Sequence, residues 1–150
     1  MRRVLMVFVG IAVLSLSLFA AHHTVADQVI AVTKAQWAAE MRKDVDAAMK
    51  NVADDCTVFE SGFPTRLDGK AMSTRWQEAL AGGSGSLVMA EMANEKVQVY
   101  GDVAILSYNF IGVDKDKDGK TESFFAKSTR VYVKKDGKWM LVHANFAAVN

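Results

Sequence analysis

Residues 127–143 read KSTRVYVKKDGKWMLVH, and this stretch decides the fold. Alternating apolar and polar side chains flank Asp136-Gly137, a dipeptide that is the strongest short-range signal for a β-hairpin. If these two residues form the loop, Lys135 pairs with Lys138, and each further pair keeps the same sum of residue numbers. The stretch therefore predicts two antiparallel strands with a defined register.

That register brings several polar side chains to one face of the sheet. Arg130 is predicted to lie directly across from His143, and Ser128 across from Asn145. His143 is the only histidine beyond residue 23. A cation, an imidazole and two hydrogen-bonding side chains on one patch indicate a binding site for a small anionic or polar molecule, carboxylates included.

The whole chain has the size and composition of one folded domain. It contains 150 residues, a single proline and a formal net charge of +1. These values argue against disorder, and near-neutrality gives no electrostatic reason to expect a nucleic-acid partner.

The N-terminus has the pattern of an export signal. Arg2-Arg3 precede an apolar run over residues 4–21, and Thr24-Val25-Ala26 supply the small residues of a cleavage site. We expect residues 1–26 to be a signal peptide and residues 27–150 to be the mature domain. The protein is then periplasmic or secreted, with no membrane partner after cleavage. Because the apolar run is near the minimum for a membrane span, an uncleaved anchor is the alternative.

Hydrophobic periodicity divides the mature chain into helices followed by strands. Apolar residues at helical spacing predict an amphipathic helix over residues 28–53, or two helices hinged near Lys43-Asp44. Helices first and an antiparallel meander afterwards predict an α+β domain with helices on one face of the sheet. The remaining predicted elements are a strand over residues 56–61, a helix over 68–80, and strands over 86–100 (irregular near 92–94), 103–113, 121–134 and 138–148.

Few residues of the chain can carry nucleophilic or metal chemistry. Cys56, the only cysteine, opens a predicted strand, and we interpret it as a small buried hydrophobe rather than a nucleophile. His22-His23 fall in the leader and are not interpreted as a metal site. The acidic run 114–119 is similar to a calcium loop, but Phe125 stands where an EF-hand needs its bidentate acid, so we favour a polar hairpin loop. We therefore expect neither a metal nor a cofactor.

The opposite face of the last strands is also apolar. A sheet that is covered by helices on one face and apolar on the other needs a partner, so we expect a homodimer or a larger homo-oligomer. Burial of this face under the chain's own loops is the alternative. The side chains predicted on it are those of Val131, Val133, Val142 and Phe146.

Arg130 has two interpretations. A strand-face arginine can pair with an acid such as Glu60 or Glu122, whereas an arginine that points into the domain needs a buried anion or a ligand. His143 next to a guanidinium would stay neutral. Glu60 and His143 are the candidates for a general base if the domain catalyses a reaction, but the sequence assigns no catalytic residue.

Three blocks of sequence carry a resemblance to a known superfamily: Thr57-Val58-Phe59-Glu60, then Asp68-Gly69 with the helix after it, and Thr129-Arg130-Val131 through Asp136-Gly137-Lys138-Trp139 to Val142-His143. With the order of elements, they resemble the nuclear transport factor 2-like (SnoaL-like, ketosteroid isomerase-like) superfamily. The chain is most similar to the association, or hub, domain of calcium/calmodulin-dependent protein kinase II. The resemblance implies a cone-shaped fold, in which a strongly bent antiparallel sheet wraps a pocket against the helices and oligomerises through its outer face.

The resemblance also implies which pocket residues are kept. In the hub domain, pocket arginines hold small carboxylates, and Arg130 matches one of them. A second arginine of that domain aligns with Phe110, a pocket histidine aligns near Ser73, and the second C-terminal histidine aligns with Asn145. The matching region therefore keeps one cation, so the hub ligand is not transferred to this chain.

Two functions are compatible with the predicted site. One is catalysis by a lyase or isomerase of the ketosteroid isomerase type, which is the alternative here. It needs a pocket carboxylate or histidine as base and a hydrogen-bond donor that faces the oxyanion. A binding function is favoured over catalysis because the sequence pattern does not require an acidic side chain in the pocket. The favoured function is an exported, oligomeric binding domain whose ligand contacts Arg130, His143, Asn145 and Ser128, between walls of Tyr108, Phe110 and Tyr132.

Overall fold

The computed structural model describes residues 24–149. The preceding leader, including His22-His23, lies outside the described residues. No helix of the described part is long and apolar enough to cross a membrane. In chain order the elements are α1 (Val25–Met41), α2 (Val45–Met49), β1 (Val52–Phe59), β2 (Leu67–Asp68), α3 (Lys70–Gly82), β3 (Ser86–Tyr100), β4 (Val103–Lys115), β5 (Thr121–Lys135) and β6 (Lys138–Ala148).

The strands form one six-stranded sheet in the order β2-β1-β6-β5-β4-β3. Neighbouring strands run antiparallel except β1 and β6, which run parallel and make the sheet mixed. The helices pack on the face that carries the buried side chains of Leu106, Tyr132 and Leu141, called the inner face here. The predicted α+β class is confirmed, and the parallel pair is a detail that the sequence did not indicate.

Helix α1 begins with a capping box. The Thr24 hydroxyl accepts a hydrogen bond from the Asp27 backbone N–H at 3.1 Å, and the Asp27 carboxylate accepts one from the Thr24 backbone N–H at 2.9 Å. The predicted cleavage point after Ala26 therefore lies in the first helical turn. Cleavage there would remove a cap that typically contributes about 1 kcal/mol to helix stability.

The hinge that the sequence places near Lys43-Asp44 separates two helices. Lys43 has a φ of 59°, a left-handed conformation that interrupts the helical path. Asp44 then caps α2 by accepting a hydrogen bond from the Ala47 backbone N–H at 3.1 Å. Strand β1 begins at Val52, earlier than predicted, because Val52 pairs with β6.

The Asp136-Gly137 loop forms as predicted. Asp136 has a φ of 50° and Gly137 a φ of 77°, the left-handed pair of a type I′ turn. Lys135 pairs with Lys138, and the predicted register continues as far as the pair formed by Tyr132 and Leu141.

Beyond that pair the register shifts by one residue. Val142 bulges from β6, so that Val131 pairs with His143 and Arg130 pairs with Ala144. The prediction that Arg130 faces His143 is wrong for this reason.

The bulge also exchanges the faces of the residues that follow it on β6. Phe146 lies on the inner face, where its ring centroid is 5.3 Å from the Arg130 guanidinium carbon, although the alternation predicted it on the outer face. His143 and Asn145 lie on the outer face, and Asn145 does not pair with Ser128 as predicted. The polar patch predicted from the sequence is therefore divided between two faces.

We expect Gly137→Ala to destabilise the protein, because a side chain in the left-handed region costs about 1–2 kcal/mol. In urea denaturation the free energy of unfolding should fall by about 1 kcal/mol at an unchanged m-value. Gly62→Ala is the matched control, since a Cβ at Gly62 would meet nothing within 4 Å. An equal loss in both variants would contradict the type I′ turn.

Candidate ligand-binding cavity

A cavity of about 870 Å³ lies between the helices and the inner face of the sheet. This volume is within the range of about 300–1,000 Å³ that is typical of small-molecule sites. Exposed residues such as Asp116 and Lys120, in the loop between β4 and β5, line its mouth. A smaller neighbouring cavity of about 30 Å³ shares Gln36, Glu60 and Arg130 with it.

Arg130 is the buried cation of this cavity, with only 3% of its surface exposed. Its Nε donates a hydrogen bond to the Tyr108 hydroxyl at 3.0 Å, and its Nη1 donates one to Gln36 Oε1 at 2.8 Å. The rings of Trp37 and Phe146 enclose the guanidinium, with centroids 5.7 and 5.3 Å from its Cζ atom. Both hydrogen-bond acceptors are neutral oxygens.

Arg130 has no direct contact with a carboxylate of the described residues. Within residues 24–149, no carboxylate oxygen lies within 4.0 Å of its guanidinium, so the ion pair with an acid such as Glu60 is not formed. Burial alone would lower the pKa of this guanidinium. The hydroxyls of Tyr108 and Tyr132 and the Glu40 carboxyl outweigh that effect, so the pKa is raised. Arg130 therefore remains a cation at the cavity wall.

Glu40 is one of two partly buried carboxyl groups that line the same cavity, whose other acidic residues are exposed. Gln36 donates from Nε2 to Glu40 Oε1 at 2.8 Å, so its amide bridges the Glu40 carboxyl and the Arg130 guanidinium. Gln77 Nε2 donates to the same oxygen at 3.4 Å. Burial raises the pKa of Glu40, whereas Arg130 and the hydrogen bond from Gln36 act to lower it.

Glu60 is the second carboxyl group, and it titrates near neutrality. Burial, followed by the neighbouring Glu40 carboxyl, raises the pKa of Glu60 to about 7, against the opposing effect of Arg130. The alternation of side chains along β1 did not show on which face of the sheet Glu60 lies. Because Val58 is buried and Phe59 is exposed, Glu60 lies on the inner side, where it lines the cavity.

Two of the three predicted aromatic wall residues border the site. Phe110 lines the cavity. Tyr108 reaches the site through its hydrogen bond with Arg130. Tyr132 is fully buried, with its hydroxyl 2.7 Å from Thr33 Oγ1, and this pair joins α1 to β5 within the core.

His143, Asn145 and Ser128 do not form the predicted patch with Arg130. His143 Nδ1 lies 2.8 Å from Thr57 Oγ1, on the outer face. Asn145 is exposed on the same face, and its backbone carbonyl accepts a hydrogen bond from Ser128 Oγ at 3.0 Å. The candidate base His143 is therefore separated from the cavity by the sheet.

The sequence reasoning missed Gln36 and Glu40, the polar residues that α1 contributes. They are four residues apart on one helix, a spacing that puts both side chains on the same helical face. Trp37 lies beside them and was assigned to the core. The polar residues Gln36 and Glu40, close to a core tryptophan on the same helix, are a sequence pattern from which this part of the site could have been predicted.

Cys56 is buried in the core, and the acidic loop between β4 and β5 is held by its own hydrogen bonds. Cys56 is fully buried, and burial raises the pKa of its thiol to about 11, so the thiol is protonated and shielded. In the loop, the Asp116 carboxylate accepts the backbone N–H groups of Asp118 and Lys120, both at 2.9 Å. Among residues 24–149, no group of three or more His, Cys, Asp or Glu side chains is arranged to hold a metal ion.

A protein-family model matches nearly all of the chain that the structure describes. Residues 25–149 match the model of the calcium/calmodulin dependent protein kinase II association domain. The chain belongs to this family. No curated protein sequence matches the chain.

Solved structures share the fold at low sequence identity. A protein named for the same association domain, from Xanthomonas campestris, is 19% identical with a TM-score of 0.73, over 82% of this chain and 86% of its own. The association domain of the C. elegans kinase is 22% identical with a TM-score of 0.65, over 79% and 92%. A protein named as a ketosteroid isomerase, from Parabacteroides distasonis, is 17% identical with a TM-score of 0.69, over 88% and 93%. With further nuclear transport factor 2-like neighbours, they confirm the predicted fold.

We expect Glu60→Gln to change how stability depends on pH. The folded protein holds the Glu60 proton more tightly than the unfolded chain, so this group favours folding below the ordinary pKa of 4.5, and the advantage is lost as the pH rises through about 7. At pH 8 the free energy of unfolding of the variant should therefore be about 1–2 kcal/mol higher than that of the wild type, after allowance for the partial exposure of the side chain.

Urea denaturation at about pH 5 and pH 8 measures this difference. Glu78→Gln is the control, because Glu78 is exposed on α3 and does not line the cavity. An effect of Glu60→Gln that is the same at both pH values would contradict the raised pKa of Glu60.

Proposed function

We propose that this chain is an exported, homo-oligomeric domain that binds a small carboxylate in the cavity beside Arg130. One observation carries the proposal: a guanidinium that is 3% exposed has only neutral hydrogen-bond acceptors and borders a cavity of ligand size. A buried charge without an ionic partner is unfavourable, and a ligand anion in the cavity would offset that cost.

The geometry around Arg130 suits a carboxylate. Tyr108 and Gln36 accept two of the five N–H groups of the guanidinium. A planar guanidinium can hold a carboxylate through two parallel hydrogen bonds. Trp37 and Phe146 lie against the guanidinium, which is shielded from water, and a low local dielectric strengthens charge-assisted hydrogen bonds.

Membership of the association-domain family supports the class of ligand without fixing its identity. The resemblance implies that Arg130 matches one pocket arginine of the hub domain, whereas Phe110 stands where a second is expected. Ser73, near the position of a pocket histidine, is buried and donates to the Gly69 carbonyl at 3.3 Å. Among the described residues, the inner cavity therefore relies on a single guanidinium.

We expect Arg130→Met to lose binding of pentanoate, a simple carboxylate that serves as the probe. Methionine keeps the apolar stem but removes the charge, so affinity should fall by at least about tenfold as charge-assisted hydrogen bonds are lost. Titration calorimetry at about pH 6, where Glu60 with its pKa of about 7 is mostly protonated, measures the affinity.

Arg75→Met is the matched control for this experiment. Arg75 is exposed on α3 and does not line the cavity, so its loss should leave pentanoate binding unchanged. Arg130→Lys, which retains a charge without the planar fork, should bind more weakly than the wild type while it keeps the fold. Equal binding by the wild type and Arg130→Met, or no binding by the wild type, would overturn the proposal.

The outer face supports the homo-oligomeric part of the proposal. Ile105, Val131 and Val133 alternate with buried inner residues of β4 and β5, and each keeps part of its surface exposed. An apolar strip on a sheet face suits burial against a second copy of the chain. The name of the family, association domain, points in the same direction.

We expect Val131→Lys to convert the oligomer to monomers, because a lysine in the middle of the strip loses its hydration on burial. Val99→Lys is the control: Val99 is 44% exposed and pairs with Ala104 on the inner side, so the oligomer should persist. Light scattering after size-exclusion chromatography measures the mass. A monomeric wild type, or an unchanged mass for Val131→Lys, would contradict this part of the proposal.

The alternative function is that of a ketosteroid isomerase-like lyase or isomerase. Glu60 favours it, since a cavity carboxyl with a pKa of about 7 suits a general base near neutral pH. Tyr108 and Arg130 could donate to a developing oxyanion. A bell-shaped pH–rate profile on an enolisable ketone, lost in Glu60→Gln, would place catalysis ahead of binding. Binding stays first because Arg130 forms no direct ion pair within residues 24–149, and a bound anion would supply one without any reaction.

Export rests on the pattern of residues 1–26. Because Thr24 and Val25 belong to the capped start of α1, cleavage after Ala26 should shorten this helix. The intact mass of the protein expressed with its leader distinguishes a cleaved signal peptide from a retained anchor.

A further inference from the structure

We infer that the ligand of this cavity carries an ammonium group as well as a carboxylate, with the carboxylate on Arg130 and the ammonium between Glu40 and Glu60. This inference rests on the proposed function, and it narrows the ligand from carboxylates in general to short amino acids. The three charged side chains come from three separate parts of the fold: β5, α1 and the segment that follows β1.

The inner part of the cavity holds more acidic than basic groups. Arg130 is its buried cation, whereas Glu40 and Glu60 are two partly buried carboxyls. A plain carboxylate would add a further negative charge beside one guanidinium, and like charges repel strongly where the dielectric is low. A ligand with its own ammonium group adds no net charge. The other charged residues that line the cavity are exposed: Lys43, Asp44, Asp114, Lys115, Asp116, Lys120 and Glu122.

Gln36 holds the opposite charges apart. Its Oε1 accepts a hydrogen bond from Arg130 at 2.8 Å, and its Nε2 donates one to Glu40 at 2.8 Å. Because the amide stands between them, the guanidinium and the carboxyl do not form an ion pair, and both keep hydrogen-bonding capacity for a ligand. Two hydrogen bonds and one amide span about 5–8 Å, which suits the charge separation of a short straight-chain amino acid with a terminal amine.

The two carboxyls together suit an ammonium group. The Glu40 carboxyl is a principal neighbour of Glu60, since its charge contributes to the raised pKa of Glu60. Both side chains line the same cavity. An ammonium group has several donors in different directions, so it can contact two carboxylates at once. Its charge would also relieve the repulsion between them.

The two kinds of ligand differ in the sign of their pH dependence. Ionised Glu60, with a pKa of about 7, repels a plain carboxylate, whose affinity should fall as the pH rises through that value. The same charge attracts an ammonium group, so the affinity of the amino acid should rise. An aliphatic ammonium with a pKa of about 10 stays charged over this range. Burial raises the pKa of Tyr108, so the phenol stays neutral, and Arg130 stays charged.

Calorimetric titration with 5-aminopentanoate and pentanoate, which have the same chain length, tests the inference. At about pH 8.5 the wild type should bind 5-aminopentanoate at least about tenfold more tightly than pentanoate, and the preference should shrink at about pH 6. Glu60→Gln and Glu40→Gln should each reduce the preference. Glu78→Gln, an exposed change outside the cavity lining, should keep it.

The outcomes separate this inference from the proposed function. Equal or tighter binding of pentanoate at about pH 8.5 would overturn the ammonium site and leave carboxylate binding intact. A preference that survives in both Glu60→Gln and Glu40→Gln would also overturn it. Binding of neither compound by the wild type would overturn the proposed function together with the inference.

Discussion

The buried guanidinium of Arg130 is the charge around which the inner cavity is organised. It extends from the middle of β5 and hydrogen-bonds to Tyr108 on the neighbouring strand and to Gln36 on α1, so that it ties the sheet to the helix. These acceptors satisfy N–H groups but do not neutralise the charge. Trp37 and Phe146 enclose it, and water cannot fully screen it. We therefore propose that the cavity beside this charge binds a ligand that carries an anionic group.

The bulge at Val142 decides which side chains share that cavity. The hairpin loop and the succession of helices and long strands along the chain could be predicted, and so could the hinge between α1 and α2 as one of two alternatives, because each depends on local chemistry such as the left-handed Gly137. No glycine or turn residue marks Val142. Strand β6 pairs with β5 on one side and runs parallel to β1 on the other, and this double pairing is a long-range property. A shift of one residue was enough to separate His143 from Arg130.

The candidate site was predictable only in part for the same reason. Arg130 could be predicted because a charged residue in an apolar strand stands out, and the aromatic Phe110 follows from the strand alternation. Gln36 and Glu40 could not, since their position depends on how α1 crosses the sheet. Glu60 was identified as an acid of interest, but alternation along a strand gives two faces and does not say which one is buried. The tertiary packing supplies that choice.

The nuclear transport factor 2-like fold supports both binding and catalysis, so the function must be decided in the cavity. The most direct measurement is a high-resolution crystal structure of the protein crystallised with pentanoate at about pH 6. We predict that the ligand carboxylate lies within hydrogen-bond distance of the Arg130 guanidinium, with Tyr108 and Gln36 still in contact with it. An Arg130 side chain turned into a direct ion pair with Glu40 or Glu60, beside a cavity without ligand density, would contradict the proposed site.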